Sequence, residues 1–434
     1  MLAETTTINV SVNKGVNKQI ATIGAFFFIF GFITWVNGTL IPYLRIACEL
    51  EEWQAYLVTF AFYISYTAMA IPSSKLLEYT GMVKGMRVGL MIMALGCALF
   101  IPAALMRFYP LFLLGLFIVG TGTTLLQTAV NPYITLLGPP EKAAQRISMM
   151  GICNKFAGVL APLILGAIIL SNSDGLIREL EQMTSAQRNV RLDNLAHAVI
   201  LPYIVIALIL MLIAFLIRFA HLPEISSPAI TFAAEETPGK GLSAKQKINF
   251  LLGFIATFST VGLEVIAGDT IGNYGIYHGL SLDVAKSLTS YTLASTMAGY
   301  IFGVYAIPRL IPQEKAYLYS AWLGVLISLL VIFVPGATSI AFVALLGLAN
   351  ALLWPAIWPQ ALRGLSGKML NRGSAILIMG IAGGAIMPLV YGALAKYTNN
   401  QYAYLILLPC YFFNVYYSRR GKRQAETPAD NHVI

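Results

Sequence analysis

The sequence predicts an all-α polytopic membrane protein with twelve transmembrane helices in two six-helix repeats. Of the 434 residues, 58% are hydrophobic and 11% are charged, whereas soluble domains carry about 25% charged residues. Apolar runs of about 20 residues, the length that crosses ~30 Å of hydrocarbon, recur along the chain. A sequence repeat also relates its two halves. Together these observations predict a helical bundle inside a lipid bilayer.

The predicted spans are separated by charged residues or by clusters of Pro, Gly and Asn, which interrupt membrane helices. They cover residues 20–42, 54–77, 86–106, 110–137, 146–170, 197–219, 248–278, 287–308, 315–335, 338–363, 371–395 and 402–418. The longest connection on the side of the N-terminus is rich in proline and divides six spans from six. We therefore expect an N-terminal half over residues 1–219, a cytoplasmic linker over 220–247 and a C-terminal half over 248–434.

The basic residues indicate how the spans are oriented. With the N-terminus in the cytoplasm, 20 of the 28 Lys and Arg residues fall in cytoplasmic segments and 7 on the opposite side. Cytoplasmic loops of membrane proteins show this bias, so both termini are expected in the cytoplasm. The net charge of +9 belongs to these loops, and we expect no nucleic-acid binding because no soluble basic domain is present. The one remaining basic residue is Lys155, inside the fifth span.

A shift of 226 residues places the fifth span on the eleventh. RISMMGICNKFAGVLAPLILGAI then aligns without a gap with RGSAILIMGIAGGAIMPLVYGAL, and eight positions are identical. Two six-span halves in parallel repeat are the layout of major facilitator transporters, whose substrate site lies between the halves near the membrane midplane. Lys155 falls on Ile381, so the lysine is an addition to one half. Chance similarity between glycine-rich membrane helices is the alternative.

Three ionisable residues inside the spans are candidates for ion coupling. Lys155 lies nine residues past Arg146, which places it about 13 Å deep at 1.5 Å per residue. Glu264 lies seventeen residues past Lys247, and Asp269 is nearer the outer end of the same span. Ionisable residues at such depths usually face an internal cavity or one another. A structural ion pair, or an interfacial position for Asp269, is the alternative.

Amide side chains and one tryptophan are candidates for substrate contact. Asn37 lies in the first span, Gln127 and Asn131 share a face of the fourth, Asn154 lies in the fifth and Trp354 in the tenth. Amides donate and accept hydrogen bonds, so such a set with an aromatic ring suits a neutral polyol better than an anion or an apolar drug. The alternatives are hydrogen bonds between helices for the amides and a membrane-interface belt for the tryptophan.

The strings LLQTAVNPYITLLGP, WVNGTLIPYL and ICNKFAGVLAPLILGAIIL resemble the fucose/proton symporter family of the major facilitator superfamily. The resemblance covers nearly all twelve spans. It implies the major facilitator fold in a bacterial inner membrane and uptake of fucose, glucose, galactose or N-acetylglucosamine. It also implies that the protein works as a monomer.

The chain departs from the fucose-type pattern at two positions. Fucose-type members have an acid directly after the Asn of the first span, where this chain has Gly38, and a glutamate in the fourth span, where it has Gln127. Gln127 resembles the glucose/galactose branch, and the EVIAGDTI of the seventh span resembles the N-acetylglucosamine carriers. The carboxylates that carry the proton in fucose-type relatives are therefore missing at both positions.

Lys155 has three possible roles in a relocated coupling site. It is a fixed cation paired with Glu264 or Asp269, or it carries the proton itself, or it permanently replaces a bound cation and transport is uncoupled. The co-transported ion is H⁺ or Na⁺. These alternatives stay open from the sequence.

The sequence thus predicts secondary active uptake of a neutral monosaccharide by alternating access. An uncoupled sugar facilitator and an exporter of drugs or metabolites with the same fold are the alternatives, and an exporter would have a more apolar cavity. We do not expect an enzyme, because the spans hold no HExxH sequence, paired-histidine motif or nucleophile–base pair. No cofactor and no metal are expected either.

Overall fold

The computed structural model describes residues 14–136, 143–169, 179–180, 182–219, 243–307, 310–363, 365, 373 and 376–426. Within these ranges the chain is almost entirely helical. Ten helices there are long and apolar enough to cross a membrane. They coincide with the first seven predicted spans and with the ninth, tenth and eleventh.

The helices of the N-terminal half are α1 (Lys14–Trp35), α2 (Asn37–Ala47), α3 (Glu52–Ala55), α4 (Leu57–Thr80), α5 (Met82–Leu105), α6 (Tyr109–Leu136), α7 (Ala143–Ile169), α8 (Ser185–His197) and α9 (Ile200–Leu216). Those of the C-terminal half are α10 (Ala244–Asp269), α11 (Ile271–Tyr277), α12 (Leu282–Ala285), α13 (Leu288–Ala306), α14 (Gln313–Phe333), α15 (Thr338–Asn350), α16 (Leu353–Ala361), α17 (Gly383–Tyr397) and α18 (Leu407–Glu426). The remaining two predicted spans are occupied by α13 and α18, so a count of twelve spanning helices stays a prediction at these two places.

Three predicted spans are each split into two helices. The first is interrupted at Val36, the seventh at Thr270 and the tenth at Ala351–Leu352. Pro355 lacks the N–H that would bond the carbonyl of Ala351, four residues earlier, which explains the third break. At the second break the Thr270 hydroxyl donates to the carbonyl of Ile266 at 2.7 Å, and such back-bonding bends helices.

The linker prediction falls mostly outside the described residues, which omit 220–242. The end of the predicted linker is already helical, because α10 begins at Ala244. Ser243 caps this helix: its hydroxyl oxygen accepts a hydrogen bond from the Gln246 amide at 3.2 Å. Such a side-chain acceptor satisfies an amide that the first helical turn leaves without a partner.

Helix packing shows the same repeat as the sequence. Helix α7 packs against α1 of its own half and α13 of the other half. Helix α17 packs against α10 of its own half and α4 of the other half. A shift of 226 residues carries α1 onto α10, α4 onto α13 and α7 onto the segment that ends with α17. The two halves therefore make equivalent contacts with each other.

The side of the bundle on which α1 begins and α18 ends is here called the terminus side. There Gly151 near the start of α7 packs against Tyr300 near the end of α13. The Tyr417 hydroxyl of α18 donates to the carbonyl of Asn249, near the start of α10, at 3.4 Å. The opposite side, where α7 and α10 end and α13 begins, is here called the distal side.

Candidate functional site

An ion pair joins the two halves. Lys155 of α7 donates through Nζ to Oε1 of Glu264 in α10. The lysine side chain is 8% exposed and that of the glutamate 22%, so the pair is largely removed from water. Of the two acids that the sequence offers as partners for Lys155, the structure places Glu264 in contact. A buried ion pair is costly to break from one side, because the remaining charge is left uncompensated.

The lysine also lies over an aromatic ring that the sequence analysis did not select. Lys155 Nζ is 4.6 Å from the ring centroid of Trp35, the last residue of α1. The indole is almost fully buried, with 2% of the residue exposed. The negative face of an aromatic ring attracts a cation and stabilises it further. The Lys155 ammonium is thus held by one contact from each half.

Two glycines make room for this tryptophan. A Cβ atom on Gly158 of α7 would lie 2.6 Å from Cδ1 of Trp35, and one on Gly268 of α10 would lie 2.5 Å from its Cζ3. Neither distance is possible between real atoms, so any side chain at these positions would displace the indole. The ring therefore fits between α7 and α10 only because both helices carry glycine there.

Two tyrosines interact with Glu264, and one amide is linked to them. Tyr63 of α4 and Tyr300 of α13 are close enough to Glu264 to interact with it electrostatically. Tyr63 stacks on Tyr66 with ring centroids 6.1 Å apart. The hydroxyl of Tyr66 accepts a hydrogen bond from Nε2 of Gln127 at 2.8 Å. The predicted residue Gln127 is thereby linked to the neighbourhood of Glu264 through two rings.

Asp269 lies apart from the lysine. Its Oδ2 accepts a hydrogen bond from the hydroxyl of Thr59 in α4 at 2.8 Å, and the residue is 3% exposed. Asp269 and Thr59 belong to different halves, so this bond is a second polar contact across the interface. Four residues further on, Nδ2 of Asn273 donates to the hydroxyl of Tyr56 at 3.2 Å. Both contacts lie on the distal side of the ion pair.

Two predicted amides make no hydrogen bond to the other half among the described residues. Nδ2 of Asn154 donates to the carbonyl of Phe27 in α1 at 3.4 Å. Asn37 is 1% exposed, and neither polar atom of its side chain has a partner among the described residues. It lines a small cavity within the N-terminal half, together with Phe62, Cys97 and Tyr203. That cavity, of about 10 Å³, has room for about one water molecule and not for a sugar.

The remaining predicted contacts are Asn131 and Trp354. The side chain of Asn131 lies outside the described residues, although its backbone is part of α6. Trp354 of α16 packs against Trp358, with ring centroids 5.6 Å apart, and is partly buried. Within the described ranges, no three His, Cys, Asp or Glu side chains are grouped closely enough to hold a metal ion.

Sequence reasoning found the charged pair and missed its surroundings. Trp35, Tyr300 and Thr59 were not selected, because tryptophan, tyrosine and threonine are ordinary in membrane helices. One signal was present for Trp35: it directly precedes the Val-Asn-Gly where the first span breaks. The glycines that receive its ring become meaningful only after the helix pairing is known.

Comparison with known proteins places this geometry in a family. Residues 23–384 match the sequence pattern of the Major Facilitator Superfamily. A glucose/galactose transporter of Brucella abortus biovar 1 (strain 9-941) is 33% identical over 418 residues, which cover 95% of this chain and 96% of the relative. The L-fucose-proton symporter of Escherichia coli (strain K12) is 28% identical over 384 residues, which cover 88% and 87%.

A solved structure has the same fold. The crystal structure of the Major Facilitator Superfamily transporter FucP in the outward conformation superimposes with a TM-score of 0.70 at 25% sequence identity. The match covers 94% of this chain and 99% of that structure. The all-helical membrane fold predicted from the sequence is therefore confirmed.

Proposed function

The chain belongs to the Major Facilitator Superfamily, and from that premise we propose that it carries a neutral monosaccharide across a bacterial inner membrane by alternating access. The sugar is of the glucose, galactose, fucose or N-acetylglucosamine type. Support comes from relatives named as glucose/galactose transporters and L-fucose-proton symporters. Those relatives are transporters and not enzymes. The two termini lie in the cytoplasm in this proposal, and the unit of transport is the monomer.

The observation that carries the proposal is the ion pair between the halves. Lys155 and Glu264 come from α7 and α10, and alternating access requires contacts across this interface to form and break. Among the described residues, the polar groups linked to this pair include the neutral hydroxyls of Tyr63 and Tyr300, together with the Gln127–Tyr66 hydrogen bond. Hydroxyls and amides bind sugar hydroxyls as donors and acceptors. An anion would instead call for additional cations.

The substrate contacts are proposed in two groups. Gln127, which bonds Tyr66, and Asn154, which precedes Lys155 in the chain, are the first candidates. Asn131 and Trp354 remain candidates on sequence grounds. Asn37 is the least favoured, because its cavity is separate from the ion pair and far smaller than a monosaccharide.

Coupling is assigned to the ion pair. A proton that binds Glu264 removes its negative charge and with it the attraction to Lys155. Since the two residues belong to different halves, loss of that attraction favours separation of the halves at this point. The proton is then released when the pair forms again on the other side of the transport cycle. Sodium coupling and uncoupled transport are outcomes that the following experiment separates from this one.

Counterflow in proteoliposomes tests the function directly. Labelled glucose, galactose, fucose, mannose and N-acetylglucosamine are each offered to vesicles loaded with the same unlabelled sugar. We expect exchange of at least one of them. Repetition with an imposed pH gradient or Na⁺ gradient should give accumulation with the pH gradient alone.

Each other result changes the proposal in a defined way. Accumulation driven by Na⁺ would replace the proton as the coupled ion. Exchange without accumulation under either gradient would make the protein a passive facilitator. Failure to exchange any of the five sugars would reject the sugar proposal in favour of another substrate class.

A further inference from the structure

We propose that Asp269 and Thr59 form a proton-dependent latch that holds the distal side of the transporter closed. The inference rests on the proposed function, in which the distal side faces the periplasm. It assigns to Asp269 a role separate from the Lys155–Glu264 pair. Asp269 takes up a proton from the distal solution when this side closes and releases it when the side opens again.

Hydrogen bonds between the halves define the latch. The Thr59 hydroxyl of α4 donates to Asp269 Oδ2 at 2.8 Å. One helical turn away on both partners, Nδ2 of Asn273 donates to the Tyr56 hydroxyl at 3.2 Å. All four residues are at least 96% buried. These bonds must break before the distal side can admit water or a substrate.

The buried carboxyl group of Asp269 has no counter-charge among the described residues. Its second oxygen, Oδ1, has no hydrogen-bond partner among the described residues, and no Lys or Arg in those ranges forms an ion pair with it. An ionised carboxylate buried without a cation is strongly disfavoured, and such groups take up a proton instead. The closed arrangement is therefore stable with Asp269 as the neutral acid. A hydrated, open distal side would stabilise the ionised form.

The groups around Asp269 do not remove this requirement. Tyr63 of α4 interacts electrostatically with Asp269, and Glu264 lies five residues earlier on α10. Arg45, the charged residue of α2, forms no ion pair with Asp269. Helix α13 carries no charged residue. At the surface, Lys396 of α17 pairs with Glu51 at 3.8 Å, and both side chains are more than 60% exposed.

The step balances as a simple proton transfer. Asp269 carboxylate and one proton from the distal solution give the carboxylic acid, and no other bond forms or breaks. The neutral acid still accepts the Thr59 hydrogen bond through its carbonyl oxygen. A higher pH outside should therefore favour the open distal side, and a lower pH the closed one.

Accessibility of a buried thiol measures the latch without any sugar. Ser290 is 5% exposed, and its hydroxyl donates across the interface to the carbonyl of Val159 at 2.8 Å. Ser290→Cys is introduced after replacement of the four native cysteines, Cys48, Cys97, Cys153 and Cys410. An impermeant maleimide is added outside right-side-out vesicles at pH 6 and pH 9. Each rate is divided by that of Val284→Cys, an exposed distal position.

We expect the normalised labelling of Ser290→Cys to be about fivefold faster at pH 9 than at pH 6 because the closed population falls as Asp269 ionises. Asp269→Asn, which resembles the neutral acid, should give slow labelling at both pH values. Thr59→Val keeps the acid and removes the hydrogen bond, so it should label faster than the parent at pH 6 and still respond to pH.

Several results would overturn the latch. These are a pH response that persists in Asp269→Asn, labelling of the parent that does not change with pH, and Thr59→Val that labels like the parent. If sodium slows labelling at constant pH, and only when Asp269 is present, then a bound cation and not a proton closes the latch. If Asp269→Asn does not fold, the Thr59→Val result still decides. Because no sugar is present, failure of sugar exchange would reject the proposed function and leave this measurement intact.

Discussion

The fifth span and its repeat in the C-terminal half have equivalent neighbouring helices. They differ in that one carries a charged residue where the other carries an apolar residue. Helix α7 runs unbroken through Lys155, which reaches the other half. At the equivalent place, 226 residues later, the chain makes a 3₁₀ turn over Gly380–Ala382, and Ile381 is buried with 8% exposure. One copy of the repeat therefore holds a charge at the interface where the other holds a hydrocarbon side chain.

The glycines of the repeat show the same division. Gly158 and Gly384 occupy equivalent positions, and each lies against an aromatic ring. Gly158 receives Trp35 of its own half, the ring beneath Lys155, whereas Gly384 receives Tyr63 of the other half. Both copies of the repeat thus have a helix surface that accommodates an aromatic ring, and only the N-terminal copy also carries the lysine. The second half contributes the acid from a different helix, α10.

The largest effect is expected when a lysine is placed at the equivalent position of the C-terminal copy of the repeat. Ile381→Lys buries an ammonium beside α10 and α4, and we expect it to destabilise the protein by about 3 kcal/mol or more, the cost of a lysine near the centre of a membrane helix. The yield of folded protein, measured by fluorescence-detected size-exclusion chromatography, should fall sharply. A variant that folds and transports normally would show that this copy also tolerates a charge.

Removal of the existing lysine is the next largest change. Lys155→Met leaves Glu264 without its partner, at a cost below the ~3–5 kcal/mol of fully buried pairs because Glu264 is 22% exposed. Gradient-driven accumulation should be lost. Lys155→Met combined with Glu264→Gln removes both charges, so it should recover stability and sugar counterflow but not accumulation. Loss of accumulation with retained exchange is expected if the pair couples transport to the ion gradient. It is not expected if the pair is only structural.

Lys286 provides the matched control for this experiment. Its ion pair with Asp283 at 2.7 Å lies within one half, three residues apart, and such pairs contribute about 0.2–0.5 kcal/mol in isolated helices. Lys286→Met should leave accumulation within about twofold of the parent. If Lys155→Met still concentrates sugar against its gradient, coupling does not depend on Lys155.

Substitution at the paired glycines sharpens the comparison further. In Gly158→Ala the new Cβ would meet Trp35 at 2.6 Å, and in Gly384→Ala it would meet Tyr63 at 3.0 Å. We expect Gly158→Ala to lower stability by about 1–3 kcal/mol, as overpacked cores do, and to reduce uptake because Trp35 shifts from beneath Lys155. Gly384→Ala should be milder. Thermal unfolding of the purified variants gives the ranking, and equal effects would contradict it.

The fold could be predicted from the sequence because hydropathy and the 226-residue repeat are both properties of contiguous residues. None of the three helix interruptions was predicted. At Val36 and Thr270 no proline follows four residues later to remove a helical hydrogen bond, so the sequence carries no such signal there. The depth of Lys155 followed from helical rise, and depth alone selected it as functional. Its partner was left open between Glu264 and Asp269, because five residues of helix turn two side chains to different faces and only the packing decides between them.

Amides were harder to interpret than charges. Asn37 is buried and Gln127 is partly buried in the N-terminal half, and the sequence offered the same role for each. In the structure Gln127 reaches Tyr66 and the ring next to Glu264, whereas Asn37 points into a separate cavity. A neutral side chain does not require a charged partner when it is buried. Its depth in the membrane therefore does not predict which residues surround it.

The smallest expected effects therefore test which amide belongs to the site. Tyr66→Phe removes the acceptor of the 2.8 Å hydrogen bond from Gln127, a loss of about 1 kcal/mol, which should raise the KM for sugar about fivefold with little change in kcat. Asn37→Leu keeps the branching and the number of side-chain heavy atoms, and it replaces two polar atoms that have no partner among the described residues by methyl groups. Because such atoms cost free energy when buried, this variant should be as stable as the parent or more so, with a KM within about twofold of it. If instead Asn37→Leu raises the KM as much as Tyr66→Phe does, the sugar reaches the first span, and the role that the sequence gave to Asn37 is restored.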